Sequence, residues 1–365
     1  MKNKVYKALL LLLLIPTALL ADPEKFRGKY TKEKTINKEF SVNENALLKI
    51  KNRYGNLNVT SWDQNTIVME VSITVNGDDE DIVTERLEGI QINFENSPSQ
   101  VTAKTQFGED NQSWWTKVKC SWTGNKVNME VNYTVKVPVN NHVDFNNDYG
   151  SISLDRINGN ATIHCDYGQV ILGELLGNEN ALYFDYSHNS SITYMKKGKI
   201  NADYSDFVLN DAETLILNAD YTGSKIKKVD TLEFNCDYGS LRVDEARLIE
   251  GNGDYLDTKI GIVSSKIDLV SDYGAIVIKK LNKTIESVNI RTDYTGVKIA
   301  YDPNCSFDCM IKTSYGGITT DIETLQKNKE ITSKKYEGYY GTDASKNTIA
   351  ISTSYGSVKL TSSEF

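Results

Sequence analysis

The chain has 365 residues, of which 24 are Gly and only 5 Pro, with 21 Tyr against 10 Phe and a hydrophobic fraction of 39%. This describes an ordered protein, long enough for two domains or one repeat array, and neither disordered nor collagen-like. The balance of 41 Lys+Arg against 49 Asp+Glu, a formal charge of −8, excludes a nucleic-acid binder built on counter-ion release.

Lys2, Lys4 and Lys7 form a basic head, Ala8 to Ile15 an apolar run, and Pro16-Thr17-Ala18 leads to Leu19-Leu20-Ala21. Residues 1–21 therefore read as a signal peptide cleaved after Ala21, which takes the formal charge from −8 to −11. The apolar run is too short for a membrane span, and no second one of spanning length follows. Asp22 stands where a lipoprotein would need Cys, so the expectation is a protein exported to the periplasm, outer surface or medium and not lipid-anchored.

Residues 22–139 read as a β-rich, less regular N-terminal portion. Ile67 to Val75 and Val127 to Val137 alternate as strands, and between them Asp81 to Leu87 reads as a short helix with acidic residues at its start. Within this portion, Ile50, Tyr54, Leu57 and Val59 already follow the register of the repeats downstream. The array can thus begin there, with an insertion before Tyr149.

Residues 140–361 carry a period of about twenty residues. Tyrosines recur at Tyr149, Tyr167, Tyr186, Tyr204, Tyr221, Tyr238, Tyr255, Tyr273, Tyr294, Tyr315 and Tyr355, the last gap being two units long. Four positions before them stand Phe145, Ile163, Leu182, Ile200, Leu217, Phe234, Leu269, Ile290, Ile311 and Ile351, a series broken only by Gly251. Two positions before come mostly small residues such as Cys165, Ala202, Ala219 and Cys236, so positions −4, −2 and 0 read as one buried face. After each tyrosine the apolar positions move to +3 and +5, as in Val170 and Leu172 or Val297 and Ile299. The odd offset demands a bend, which Gly150, Gly168, Gly239, Gly274, Gly316 and Gly356 at +1 would supply through positive φ. The fold expected is all-β: a single-stranded parallel β-solenoid (β-helix) with coils of 17–21 residues, about 55 Å long at ~4.8 Å per coil.

Asp148, Asp166, Asp185, Asp203, Asp220, Asp237, Asp254, Asp272 and Asp293 precede nine consecutive tyrosines and point outward by strand alternation. Carboxylates ~4.8 Å apart repel by about 0.9 kcal/mol per pair even in water. They read either as caps accepting backbone N–H groups of their own bend, the simpler reading, or as a metal stripe in which calcium is the possible cation. No other cofactor is implied. Asn146, Asn201, Asn218, Asn235 and Asn252, with His164 and Tyr183, line the −3 column, a solvated face or a sugar-binding one. Cys165 and Cys236 lie four coils apart and read as core residues, whereas Cys305 and Cys309 are near enough for a disulfide. Cys120 has no assignment. His164, Asp166, Asp185 and His188 form the least uniform cluster, and no catalytic constellation stands out. Lys327, Lys329, Lys334 and Lys335, followed by Tyr336, Tyr339 and Tyr340, break the acidic pattern. They read as a hairpin covering the last coils or as a grip on a partner.

The order Asn52-Arg53-Tyr54-Gly55-Asn56-Leu57, Trp62-Asp63, strand–helix–strand, Tyr133 to Pro138, then Gly-x-Ile repeats resembles the bacterial adhesin-like family of secreted β-solenoid proteins over nearly all of the mature chain. The density of Asp-Tyr pairs departs from the family pattern. The resemblance implies an envelope protein without known catalytic residues. The expected function is a non-enzymatic binding or scaffold component of the cell envelope whose partner is a protein or glycan, monomeric or weakly associating. A polysaccharide-binding or polysaccharide-cleaving β-helix is the alternative, and a calcium-stabilised surface rod the third.

Overall fold

A computed structural model describes residues 27–108, 127–342 and 345–363. The export segment over 1–21 and Cys120 lie outside them. The protein is all-β, and among the described residues it has one short helix and 26 strands that join in one mixed, mostly parallel sheet.

Each repeat contributes one strand before its tyrosine and one after it, as in Ala161–Asp166 and Val170–Leu175. Successive repeats pair in parallel and in register: Ile163 lies between Phe145 and Leu182, and Leu172 between Leu154 and Ile192. The inward residues of both strand sets, among them Phe145, Ile163, Leu217, Val170 and Ile299, form one continuous core. Each fully buried Ile or Leu contributes about 1.5–3 kcal/mol. Gly251 interrupts the −4 series because the Phe234 ring of the preceding repeat fills the space, with Cδ1 2.5 Å from where a Cβ would stand.

The rung carrying Tyr54 is the first of the array. Leu47–Arg53 and Leu57–Trp62 pair in parallel with the two strands of the Tyr149 rung, so the residues between are an insertion at this end. There the sheet turns antiparallel. Asn128–Pro138 adds to Leu57–Trp62, Thr66–Gly77 runs antiparallel to it, and Tyr30–Ser41 forms the edge. Gln100–Phe107 and Ile90–Ser97 extend the other strand set. The helix is Glu80–Gly89, where Asp79 accepts the amides of Asp81 and Ile82, and it packs on the first two antiparallel strands.

At the other end the spatial order departs from the chain order. Thr348–Ser354 inserts between Ser287–Asp293 and Phe307–Ser314, and Val358–Thr361 between Gly296–Tyr301 and Ile318–Thr320. The Tyr355 rung therefore sits inside the Tyr315 rung, and the long tyrosine gap is a return, not two coils added outward. Beyond it, Ser333–Tyr340 runs antiparallel along Phe307–Ser314 and forms a hairpin with Gln326–Lys329.

Candidate functional site

The tyrosine positions depart from the expected buried face. Twelve tyrosines, Tyr54 included, have φ between +50 and +63°, and eleven of them are 46–63% exposed. A left-handed residue between two extended strands flips the side-chain alternation, which is why the inward positions move to +3 and +5. The bend thus belongs to Tyr itself. None of the +1 glycines has positive φ, and they are small for another reason: at Gly168 a Cβ would lie 2.1 Å from the Gly150 carbonyl oxygen of the neighbouring rung. Where Ser or Thr replaces glycine, as in Ser205 and Thr222, the hydroxyl is buried and donates to the carbonyls of Phe184 and Ala202.

The left-handed conformation brings the twelve rings into one stack, with centroids 4.8–5.3 Å apart and planes within 2–15°. Offset stacking of this kind is worth about 0.5–1.5 kcal/mol per pair, comparable with the ~1–2 kcal/mol a non-Gly residue pays for the left-handed region. The ring faces are taken by one another, so the ridge offers ring edges and phenol hydroxyls to solvent. The Tyr167, Tyr204, Tyr238 and Tyr273 hydroxyls are pushed above the ordinary phenol value, first by desolvation and then by neighbouring phenols and aspartates.

The nine aspartates run beside this ridge. From Asp166 to Asp272, each Oδ1 accepts the backbone amide of the aspartate one rung on, at 2.8–3.4 Å. Their bonds tie one rung to the next, unlike the capping of their own bend that sequence suggested. The Asp185 carboxyl is raised, chiefly by desolvation and then by Asp166 and Asp203, against the lowering effect of the Asp203 amide. Arg53 closes the stripe at its first rung, donating to Asp148 Oδ2 at 2.9 Å with its guanidinium 5.9 Å from the Tyr54 ring centre. Among the described residues no group of three His, Cys, Asp or Glu is arranged to hold a metal ion.

On the same outer face, Ile216, Val270, Asn218, Asn235 and Asn252 line a shallow basin of about 230 Å³, with Glu233 and Glu250 on adjacent rungs. His164 stacks on Tyr183 at 4.4 Å. His188 pairs with Asp206 at 2.8 Å beyond the bend, so the His164, Asp166, Asp185 and His188 cluster does not converge on one point.

The lysines of the C-terminal hairpin are engaged locally. Lys327 and Lys329 lie over the Tyr336 ring, Lys334 Nζ donates to the Gly316 carbonyl at 2.6 Å, and Lys335 pairs with Glu337. Cys305 and Cys309 are free, buried thiols, so the disulfide suggested by their spacing is not formed. Cys309 faces the core from its strand, while Cys305 points to the Leu281 and Asn282 carbonyls. Burial pushes Cys305 up to about 11 and Cys165, Cys236 and Cys309 up to about 12.

One feature went unread in the sequence. The +4 positions after the tyrosines bring Lys225, Arg242, Lys259, Val277, Lys298 and Lys359 into one column on the outer face of the other strand set. The signal was the fixed offset, which is visible only once the +3 and +5 residues are known to point inward.

No family model and no curated protein matches the chain. Among solved structures, a putative adhesin from Parabacteroides distasonis matches at 12% identity and TM-score 0.34, over 73% of this chain and 93% of its own. A putative cell adhesion protein from Clostridium sporogenes matches at 12% and 0.21, over 91% and 99%. A putative lipid binding protein from Parabacteroides distasonis matches at 7% and 0.29, over 89% and 96%. At these identities and TM-scores the likenesses carry no argument about function. Among the described residues no helix is long and apolar enough to cross a membrane.

Proposed function

We propose that the chain is an exported, non-enzymatic β-solenoid rod that binds or scaffolds a component of the bacterial cell envelope, adhesin-like in that sense, through its tyrosine–aspartate ridge. Residues 22–139 would form a β-rich N-terminal portion holding the first rung and its insertion, and 140–361 the array. The observation that carries the reading is the ridge. Monomeric soluble proteins rarely expose aromatic surface in one contiguous patch beyond a few hundred Å². Here half-exposed rings line up over about 50 Å, at every rung and without a break. A uniform ridge suits an extended or repeating partner more than a small substrate.

The test is co-sedimentation of the mature chain with isolated envelope fractions, together with a glycan array, for wild type and for Tyr221→Asn/Tyr238→Asn/Tyr255→Asn. Asn tolerates the left-handed conformation, so the variant keeps its bends and loses the ridge. A tenfold or greater loss of binding is expected. Equal binding by the variant, or no wild-type binding to any fraction, refutes the reading.

The basin at Glu233 and Glu250 favours a second reading, polysaccharide binding or cleavage, because two carboxylates on adjacent rungs beside a row of side-chain amides can contact a sugar. New reducing ends from a polysaccharide, lost in Glu250→Gln, would establish it.

A further inference from the structure

We propose that copies of this chain pack side by side, with the aspartate stripe of one copy lying on the lysine–arginine stripe of the next. The inference rests on the rod reading above and adds a partner for the outer face of the strands that follow the tyrosines. The acidic stripe occupies the outer face of one strand set, from Asp148 to Asp293, and is joined there by Glu233, while Glu250 and Asp268 on the same face pair with Lys266 at 3.6 Å and Arg291 at 3.4 Å. The basic stripe occupies the outer face of the other set, where five of six neighbouring rungs, those of Lys225, Arg242, Lys259, Lys298 and Lys359, place a cation in one column. Lys227 and Lys279 are exposed on the same face. Within the stripe, Lys259 pairs with the carboxylate two residues away, Asp257 at 2.9 Å. Lys225, Arg242 and Lys298 have no ion partner among the described residues.

Both stripes stack like charges at the rung spacing, so each is relieved by a surface of opposite sign repeating at the same interval. Among the described residues, the surface that repeats at that interval with the opposite sign is, for each stripe, the other stripe. A single exposed ion pair is worth little, but a run of pairs held in one register by two rigid sheets acts together. Because the stripes lie on the outer faces of different strand sets, the contact joins unlike surfaces and is heterologous. It does not close into a dimer, and it extends into a ribbon of parallel rods.

Light scattering and sedimentation of the mature chain test this at low and high salt, because exposed charge pairing weakens as the Debye length shrinks. The wild type is expected to gain mass with concentration at low salt and to return to monomer at high salt. Lys225→Glu/Arg242→Glu/Lys298→Glu and Asp220→Asn/Asp237→Asn/Asp254→Asn are each expected to stay monomeric, the Asn side chains keeping the Oδ1 acceptors of the ladder. Mixed in equal amounts, the two variants have one good face each and are expected to stop at twice the monomer mass. A wild type that is monomeric at every concentration in low salt, association that ignores salt, or variants that associate like wild type would overturn the proposal. So would a monomeric wild type whose basic stripe binds polyphosphate, which would give the stripe to an anionic polymer. A wild type that self-associates in this way but binds no envelope fraction would count against the ridge reading alone.

Discussion

Tyr294 stacks on Tyr355 at 4.8 Å and not on Tyr315, although Tyr315 comes first in the chain. The rung that Tyr355 marks thus serves as the joint between the body of the array and its outermost turn, and the strength of that joint can be measured.

Ile351 lies between Ile290 and Ile311 and is almost fully buried. Ile351→Ala is expected to cost about 2–5 kcal/mol. Hydrogen exchange should accelerate in Ser287–Asp293 and in Phe307–Ser314 together. Faster exchange confined to one of the two strands would mean that the inserted rung does not couple them.

At Tyr221 two opposing effects can be separated. Tyr221→Gly removes two ring stacks, about 1–3 kcal/mol at 0.5–1.5 each, but relieves the left-handed backbone. Tyr221→Val removes the same stacks and keeps the strain, so it should fall below the glycine variant by a further 1–2 kcal/mol or so in urea unfolding. The reverse order would show that the positive φ is not a burden at this bend.

The Asp302 carboxylate is held down to about 2, first by the Asn304 amide and then by Lys280 at 3.1 Å. A depressed carboxylate contributes stability that is present above its unfolded value of about 3.9 and is lost as pH falls through the folded value. Thermal midpoints should therefore drop between about pH 4 and pH 2, and Asp302→Asn should flatten part of that limb. Parallel acid limbs in both proteins would assign the loss to other carboxylates.

For the aspartate stripe the expected response to calcium is small, because one oxygen of most of its members is already bonded to the next rung. Thermal unfolding in chelator and in calcium at equal ionic strength should coincide. A clear upward shift would mean binding to the native state and would restore the cation reading.

Much of the architecture was legible because a parallel stack repeats its side-chain pattern at every rung. Phe145, Ile163 and Leu182 announce one inward column, Ile152 and Val170 another, and Tyr54 betrays the first rung from far upstream. What the pattern could not convey was handedness at a single residue. Apolar content at −4 and −2 extends naturally to an aromatic at 0, and only the backbone of Tyr reveals that the alternation stops there. Glycine after tyrosine looked like the bend for the same reason, although its smallness answers the approach of a carbonyl such as that of Gly150. The charged columns divided by the same logic. Asp-Tyr pairs are adjacent in sequence and easily seen, whereas Lys225, Arg242 and Lys298 are related only through the fold. The place of Tyr355 was beyond any local reading, because Tyr315 and Tyr355 carry the same register and nothing in either rung states which is outermost.

The inserted rung also fixes an order of events in time. Synthesis delivers the Tyr315 rung before the Tyr355 rung, yet the earlier one rests on the later. Until Thr348–Thr361 has emerged, the outermost turn has no native neighbour to settle on, and docking it early on the Tyr294 rung would shut out the strand that belongs there. The array can grow rung by rung from Tyr54 to Tyr294 as the chain appears, and then it must wait.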